Sequence, residues 1–533
     1  MTVFPKAHWR GLLSMILLGS ALLGCNQSKS STPAASLAEP SITASDNGSA
    51  AMCNAEPSGS AIPRLQRDGR WLVDQHQRVV ISHGVNLVWK LAPYFPPNSP
   101  EGFTAADADW LLEHGFNTAR IGTLWIGVSP TAPGEIDQNY LEQWDRVVQL
   151  LAERGIWILF DFHQDMLGEI YQGEGVPEWG IPQGLMTRLL GSPALGFPFN
   201  YFTPQVSESF DKLWAERGPI WQGYSDAWQA LASRWADQPY SMGYDLLNEP
   251  WAGLEWATCI LPGLGCPASD REIQPFFERA ITAIRGVDAN NMVWIEPQLL
   301  AGGTGTPTGF TPIAGELQLG YSVHNYCPLT ALLQAAELGL PIPDVLPDTC
   351  QGFEGKVFEQ ARITSERIGA VELVTEFGAS DDPVLLNRVA SLADSHLTGW
   401  QYWAYKNWSD PTTQSQETGA QGLFSDDSNL NSVKLDKLKE LERSYPQATA
   451  GIPLELSFDS ISGDFHYRYQ IRPAGADTQI YLPQIHYPNG YEVEVSGASV
   501  VSATGANLLM LHNSSCEGEV EVVVRRSTAA LDY

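Results

Sequence analysis

The sequence predicts an α/β protein with a (β/α)8 barrel, or TIM barrel, followed by an antiparallel β-sandwich. Eight short apolar runs alternate with longer amphipathic segments between residues 79 and 405. Beyond about residue 447 the pattern changes to short segments in which apolar and polar residues alternate. Repeated β/α units favour a parallel sheet, and eight units are the number that closes a barrel.

The eight apolar runs are the predicted strands of the barrel. They are VVISHGVNL (79–87), FNTARIGT (116–123), GIWILFDFHQ (155–164), MGYDLLNEP (242–250), NMVWIEP (291–297), LGYSVHNY (319–326), AVELVTEFG (370–378) and TGWQYWAY (398–405). The segments between the runs have the periodicity of amphipathic helices. In one of them, Leu141, Trp144, Val148 and Leu151 share one face, and Gly155 ends the predicted helix. An open, doubly wound sheet is the alternative. We favour the barrel because polar residues gather where the runs end, as in barrel active sites.

The barrel is predicted to span residues 61–446 and the β-sandwich residues 447–533. Segments such as DFHYRYQIRP and EGEVEVVVRRS alternate apolar and polar residues between turn residues. About 85 residues is a usual size for an antiparallel sandwich. The sandwich could bind sugar, bind membrane or brace the barrel, and bracing is the simplest expectation.

The N-terminus predicts export. Lys6 and Arg10 precede the short apolar run GLLSMILLGSALLG, which is typical of a signal peptide over residues 1–25. The sequence LLGC, ending at Cys25, resembles a bacterial lipoprotein processing site, so we expect Cys25 to be lipidated and to anchor the protein to a membrane outside the cytoplasm. Secretion after ordinary cleavage is the alternative. Residues 26–60 are rich in Ser, Ala, Thr and Pro and predict a flexible tether.

Six further cysteines indicate disulfides, because an even number in an exported chain favours pairing over metal ligation. They are Cys53, Cys259, Cys266, Cys327, Cys350 and Cys516. We expect Cys259 to pair with Cys266 in the same loop. Cys327 and Cys350 are the next closest in sequence, and we expect them to pair. The remaining two, Cys53 and Cys516, would then join the two ends of the mature chain.

The composition excludes one class of partner. A formal charge of −30 argues against nucleic acid, because phosphate binding needs fields of Lys and Arg. The sequence contains neither a Gly-rich phosphate loop nor a spacing typical of a metal site, so we expect no cofactor and no metal. We expect a monomer.

Polar residues at the ends of the predicted strands form the candidate site. They are Arg120, Asp161, His163, Asp165, Asn248, Glu249, His324, Tyr326, Glu376 and Trp403. Closure of the barrel would place Glu249 and Glu376 across one cup, and paired carboxylates across a sugar-sized cleft are typical of glycoside hydrolysis. Arg120 and the Tyr326 hydroxyl favour an ionised Glu376. Glu249, on an apolar strand beside Asn248, suits the proton donor, and the Asn248 amide can bond the sugar 2-hydroxyl.

In their order, the motifs FNTARI, DFHQD, LLNEP, HNY, TEFG and WQYWAY resemble glycoside hydrolase family 5, a family of retaining (β/α)8 enzymes. The resemblance spans nearly all of the predicted barrel. It implies double displacement with Glu249 as acid/base and Glu376 as nucleophile, their carboxyls about 5–5.5 Å apart. Arg120, His163, Asn248 and His324 would bind substrate around them.

A narrower resemblance is to the endoglycoceramidases, which release an intact glycan from ceramide. NLVWKLAPYFP, FDFHQD followed by GEGVPEW, and the C-terminal β region carry it. It implies that Lys90, Asp165 and Trp179 contact the sugar next to the cleaved bond, with Tyr326 and Trp403 completing the subsite. The sequence departs where DFHQD continues as MLGEIYQG, which leaves the fit of particular sugars open.

The segment from Gly168 to Trp214 is longer than a usual loop between strand and helix. Its apolar residues include Leu185, Leu189, Leu190, Leu195, Phe197 and Phe199. They form either an exposed patch that holds acyl chains or rests on a membrane, or a small core covering the barrel.

The leading hypothesis is therefore a retaining β-glycosidase acting on glycosphingolipids. The alternatives are a β-glucosidase or endo-β-glucanase on soluble or polymeric glucan, and a hydrolase of glucosylceramide or steryl glucoside. A catalytically silent glycan-binding lipoprotein is a different class of function. The presence of both glutamates with their partners argues against the silent lipoprotein.

Overall fold

The computed structural model describes residues 62–259, 265–327, 346–412 and 419–527. The predicted signal peptide, the lipidation site Cys25, the tether and Cys53 lie outside these residues. No helix within the described ranges is both long and apolar enough to span a membrane.

The strands are numbered in chain order. They are β1 Gln66–Asp68, β2 Trp71–Val73, β3 Val79–Val80, β4 His83–Leu87, β5 Thr118–Gly122, β6 Trp157–Asp161, β7 Ser241–Asp245, β8 Val293–Ile295, β9 Leu319–Asn325, β10 Val371–Gly378, β11 Trp400–Trp403, β12 Tyr445–Thr449, β13 Gly451–Phe458, β14 Phe465–Ile471, β15 Thr478–Tyr481, β16 Tyr491–Ser496, β17 Ala498–Val500, β18 Leu508–Asn513 and β19 Glu519–Arg526.

The α-helices alternate with the barrel strands. They are Ala105–Glu113, Trp125–Val128, Gln138–Ala152, Leu185–Leu190, Pro204–Ala215, Pro219–Trp235, Trp256–Cys259, Pro267–Arg285, Leu299–Thr304, Leu346–Ile368, Pro383–His396 and Leu435–Leu441. In Gln138–Ala152 the Asp137 side chain caps the start by accepting the Tyr140 N–H, and the residues predicted to share one face are buried.

Eight parallel strands, β4 to β11, form a closed barrel in which β11 pairs with β4, and this confirms the predicted fold. Each of the eight predicted runs contributes one strand. The first run, 79–87, is divided: β3 leaves the barrel and pairs with β2 and β12, and β4 alone enters the ring. All five residues of β4, β5, β6 and β7 are buried, as expected for parallel strands covered by helices on the outside.

The C-terminal region consists of two antiparallel sheets, as predicted. A four-stranded sheet has the order β13-β14-β19-β16, and a seven-stranded sheet has the order β1-β2-β3-β12-β15-β18-β17. Their inner faces share one core, to which Tyr467 and Val522 contribute from the first sheet and Ile480 and Leu511 from the second. The three N-terminal strands β1–β3 complete the second sheet. This sheet is therefore built from residues that precede the barrel in the sequence and residues that follow it.

Buried polar contacts join the sandwich to the barrel. Arg443 is fully buried before β12; its Nη2 lies 2.7 Å from Asp394 Oδ2 on helix Pro383–His396 and also donates to the Phe458 carbonyl. Tyr445 donates its hydroxyl to the Gly115 carbonyl at 2.6 Å. The sandwich therefore braces the outside of the barrel.

Two predicted disulfides are present, Cys259–Cys266 and Cys327–Cys350. Cys516 is also disulfide-bonded. Its predicted partner, Cys53, lies outside the described residues.

Replacing Arg443 with Met should destabilise the protein by about 3–5 kcal/mol, because Asp394 would be left as a buried charge without its partner. Denaturant unfolding measures the change. Arg525→Met is the control, since Arg525 and Glu494 form an exposed ion pair, and its effect should stay within about 0.5 kcal/mol. A loss for Arg443→Met no larger than for the control would contradict this account of the interface.

Candidate active site

The candidate residues lie at the C-terminal end of the barrel. Arg120 is within β5, His324 within β9 and Glu376 within β10, while Trp403 ends β11. Glu249 follows β7 by four residues. The carboxyl ends of parallel barrel strands open on one face, so these side chains converge on one cup.

Arg120 occupies the centre of this cup and is fully buried. Its Nη1 lies 2.7 Å from Glu376 Oε1, its Nε 2.9 Å from Asp245 Oδ2 and its Nη2 2.9 Å from Asp161 Oδ1. Nη2 also donates to Asn248 Oδ1 at 3.0 Å. Burial opposes the charge, but the carboxylates outweigh it and raise the pKa of Arg120 above its ordinary value.

Glu249 and Glu376 face each other. Single ligand atoms of Glu249, His324 and Glu376 all lie within 4.8 Å of one another. This separation suits a nucleophile and an acid/base that act on the two atoms of one glycosidic bond, and it is shorter than the roughly 6.5–9.5 Å typical of inverting pairs. Glu249 has a φ of 45°, an unusual backbone conformation for a residue with a side chain, and such strain is frequent at functional sites.

The environments of the two carboxyls differ. Burial, together with the charge of Asp165, raises the pKa of Glu249 to about 8. Burial also raises the pKa of Glu376, but the positive charges of Arg120 and His163 oppose that shift. The Arg120 ion pair and a hydrogen bond from the Tyr326 hydroxyl, 3.2 Å from Glu376 Oε2, favour the ionised form of Glu376. These contacts favour a protonated Glu249 beside an ionised Glu376.

Two histidines border the pair in opposite charge states. His163 Nδ1 lies 2.9 Å from Asp161 Oδ2, and this carboxylate overcomes burial to raise the pKa of His163 to about 8. Burial lowers the pKa of His324 to about 4, so that ring is neutral, with Nδ1 2.8 Å from Glu249 Oε1. The His163 ring stacks on Trp403 with centroids 5.0 Å apart.

A second buried cluster surrounds Lys90. Its Nζ lies 2.6 Å from Asp165 Oδ2, 3.3 Å from Glu174 Oε1 and 3.3 Å from Asp410 Oδ2. The ammonium also sits 4.6 Å from the centre of the Trp403 ring. The structure thus brings into contact three residues that were predicted to share a sugar subsite: Lys90, Asp165 and Trp403.

Trp179 lies in the loop that follows β6. It is half-buried, donates Nε1–H to the Ser129 carbonyl at 2.9 Å and packs edge-on against Trp125 at 5.2 Å. The structure brings it to the same face of the barrel as the other candidates, since its loop follows β6.

Two groups of carboxylates and histidine have spacings that a metal ion could use: Glu249, His324 and Glu376, and the set His163, Asp165 and Glu174. In the second set the Lys90 ammonium already compensates the carboxylates. In the first set Arg120 does so.

Sequence reasoning missed several polar residues of the cup. They are Glu174, Asp245, Glu296, Asp410, Thr412 and Gln421. Glu296 ends the fifth apolar run as Glu249 ends the fourth, and this position could have identified it. Asp410 and Gln421 lie beyond the last strand, where no periodicity marks them.

Glu249→Gln should stabilise the protein above pH 5. A carboxyl with a folded pKa of about 8 and an unfolded pKa near 4.3 keeps its proton only in the folded state between these values, so the wild type loses stability as pH rises through this window. The amide does not titrate. Melting temperatures from pH 4 to 9 should therefore diverge in favour of the variant. Glu255→Gln, in an exposed position, should track the wild type; a constant offset for Glu249→Gln would contradict the buried, protonated carboxyl.

Comparison with known proteins agrees with this geometry. Residues 73–409 match the cellulase model of glycosyl hydrolase family 5, and residues 443–524 match the glycoside hydrolase family 5 C-terminal domain. The chain is 36% identical over 476 residues to endoglycoceramidase I of Rhodococcus hoagii (strain 103S), covering 88% of this chain and 89% of the relative. It is 26% identical over 458 residues to an endoglycoceramidase of Cyanea nozakii, covering 80% of this chain and 85% of that protein.

Among solved structures, endo-glycoceramidase II from Rhodococcus sp. superposes with a TM-score of 0.67 at 27% identity, covering 86% of this chain and 100% of that chain. That protein has also been solved as a complex with ganglioside GM3 and as a lactosyl-enzyme intermediate. The family match extends over more than half of the chain and contains both glutamates and all the other substrate-site residues predicted from the sequence. This protein therefore belongs to glycoside hydrolase family 5 and is an O-glycosyl hydrolase.

Proposed function

We propose that the protein is a retaining β-glycosidase that cleaves the bond between the oligosaccharide and the ceramide of glycosphingolipids. The observation that carries the mechanism is the pair of buried carboxyls, Glu249 and Glu376, whose oxygens lie within 4.8 Å in unequal environments. The endoglycoceramidases similar to this chain over most of its length support the substrate class.

In the first step, the ionised Glu376 attacks the anomeric carbon, and a bond forms between its oxygen and the sugar. The bond from the anomeric carbon to the ceramide oxygen breaks, and Glu249 gives its proton to that oxygen. In the second step Glu249, now a carboxylate, takes a proton from water while the water oxygen attacks the same carbon, and the bond between that carbon and the Glu376 oxygen breaks. The glycan leaves with retained configuration, and both carboxyls return to their starting states.

The surrounding residues bind and orient the sugars. Asn248 accepts from Arg120 with its amide oxygen and donates one amide N–H to the Gln164 carbonyl at 3.1 Å, which leaves its second amide N–H for the sugar 2-hydroxyl. Lys90 and Asp165 present a buried donor and acceptor beside the Trp403 ring, the combination that a sugar with several hydroxyls requires. Trp179 and the two histidines complete the proposed substrate-binding set.

Exposed leucines support a lipid aglycone. In the loop after β6, Leu185 is 58% exposed, Leu189 67%, Leu190 63% and Leu195 58%. These four do not form the small core that was the alternative; Phe197 alone among the segment's named residues packs against the main core. Because the loop begins at the end of a barrel strand, it starts on the face that holds Glu249, where acyl chains of a bound glycolipid would emerge.

The direct test of the function is product analysis with lactosylceramide in detergent. Intact lactose and ceramide should appear in equal amounts, and turnover should be lost in Glu376→Gln. An aryl β-glucoside and a soluble β-glucan serve as comparison substrates. Hydrolysis of these two without release of lactose would identify a conventional β-glucosidase or endo-β-glucanase and overturn the ceramide assignment, while release of single sugars from lactosylceramide would contradict endo-cleavage.

Replacing Leu189 and Leu190 together with Asp should lower the rate on lactosylceramide in vesicles at least about tenfold, because charges at a lipid surface are strongly disfavoured. Hydrolysis of a soluble aryl lactoside should not change. Leu317→Asp is the matched control: Leu317 is 71% exposed but precedes β9, at the opposite end of the barrel. Equal losses on both substrates would point to damaged folding rather than lost lipid contact.

We also propose export as a bacterial lipoprotein with Cys25 as the acylated residue, and activity as a monomer. The support is the charged start, the apolar run and the LLGC site. Wild-type protein expressed in bacteria should incorporate labelled palmitate and fractionate with membranes, and Cys25→Ser should lose both properties. Unlabelled, soluble wild type would favour secretion after ordinary cleavage.

A further inference from the structure

The carboxyl group of Glu296 contacts both the backbone of Glu249 and the ring of His324. Glu296 follows β8 directly and its side chain is only 3% exposed. Its Oε2 accepts the backbone N–H of Glu249 at 3.1 Å, and its Oε1 faces His324 Nε2 at 3.5 Å. We infer that Glu296 is a positioning residue, which aims the acid/base carboxyl and sets the tautomer of His324; this rests on the proposed roles of Glu249 and Glu376.

The first contact fixes an unusual backbone. Glu249 has a φ of 45°, and a residue with a side chain keeps this conformation only where its surroundings hold it. The Glu296 carboxyl holds the N–H of that same residue. The direction in which the Glu249 side chain leaves the backbone therefore depends on Glu296.

The second contact concerns the single proton of a neutral imidazole. His324 Nδ1 lies 2.8 Å from Glu249 Oε1 and 3.5 Å from Glu376 Oε2. A proton on Nδ1 donates to Glu249 Oε1, so the acidic proton of Glu249 must sit on Oε2, where a leaving group can take it. A proton on Nε2 instead leaves Nδ1 to accept that acidic proton, which draws it away from the substrate.

Glu296 selects the first arrangement when it presents an O–H to Nε2. Burial and the charges of Asp245 and Glu376 favour its protonated form, while Arg120 opposes it. The pKa of Glu296 is accordingly well above its ordinary value. A small shift of the ring brings Nε2 from 3.5 Å into hydrogen-bonding distance, as catalytic contacts often tighten when substrate binds.

The test compares two substitutions. Glu296→Gln keeps an oxygen for the Glu249 N–H and an N–H for His324 Nε2, so kcat on phenyl β-lactoside, an aryl lactoside whose weakly acidic leaving group needs a proton, should stay within about threefold of wild type. Glu296→Met removes both contacts and should lower kcat at least about thirtyfold with little change in KM. Glu372→Gln, a buried glutamate at the opposite end of β10, is the control and should leave kcat unchanged.

A spectroscopic readout separates this role from a merely structural one. In protein with 15N-labelled histidine, His324 should carry its proton on Nδ1 in the wild type and in Glu296→Gln, but not in Glu296→Met. A wild-type ring protonated on Nε2, a fully active Glu296→Met, or a Glu296→Gln as impaired as Glu296→Met would each overturn the inference. The aryl substrate and the spectrum do not involve ceramide, so failure of the ceramide assignment would be seen separately, on lactosylceramide alone.

Discussion

The buried charge of Arg120 is the interaction on which the site depends. A guanidinium without solvent is costly, and the barrel offsets that cost with carboxylates from three different strands: Asp161, Asp245 and Glu376. In return, Arg120 holds Glu376 ionised and Asn248 oriented. The reactive carboxylate is therefore part of the charge balance of the barrel, and it cannot be removed without disturbing the end of the barrel that carries it.

Neighbouring charges and hydrogen bonds also distinguish the environments of Glu249 and Glu376. Both are buried, and burial alone would make both weak acids. Glu376 has a fixed cation and a tyrosine hydroxyl at hydrogen-bonding distance. Glu249 has a neutral histidine beside it, with the carboxyl group of Glu296 at its backbone. Two chemically identical side chains thus acquire the opposite proton states that double displacement needs, through neighbours supplied by different strands.

Much of the fold could be predicted because parallel barrel strands are continuous apolar runs that end in polar residues. The run ending at Glu249 and the one ending at Glu376 each showed this pattern, and the two local disulfides followed from spacing. The departure of β3 from the first run could not be seen, since Val79 and Val80 look the same in either sheet. Asp410 and Gln421 were missed for a related reason: they reach the cup from a loop, and only tertiary structure brings them there. The catalytic assignments themselves stay predictions until kinetics test them.

The measurement that most directly tests the central claim is the dependence of each glutamate variant on the leaving group. Glu249→Gln should lose about a hundredfold to ten-thousandfold on lactosylceramide, whose leaving oxygen needs a proton. It should still release an acidic dinitrophenol rapidly from an aryl lactoside in the first turnover, before the step that needs Glu249 as a base. Glu376→Gln should lose activity on both substrates, because the nucleophile is required whatever leaves. Equal losses for Glu249→Gln on the two substrates, or turnover by Glu376→Gln, would contradict the division of roles between the two carboxyls.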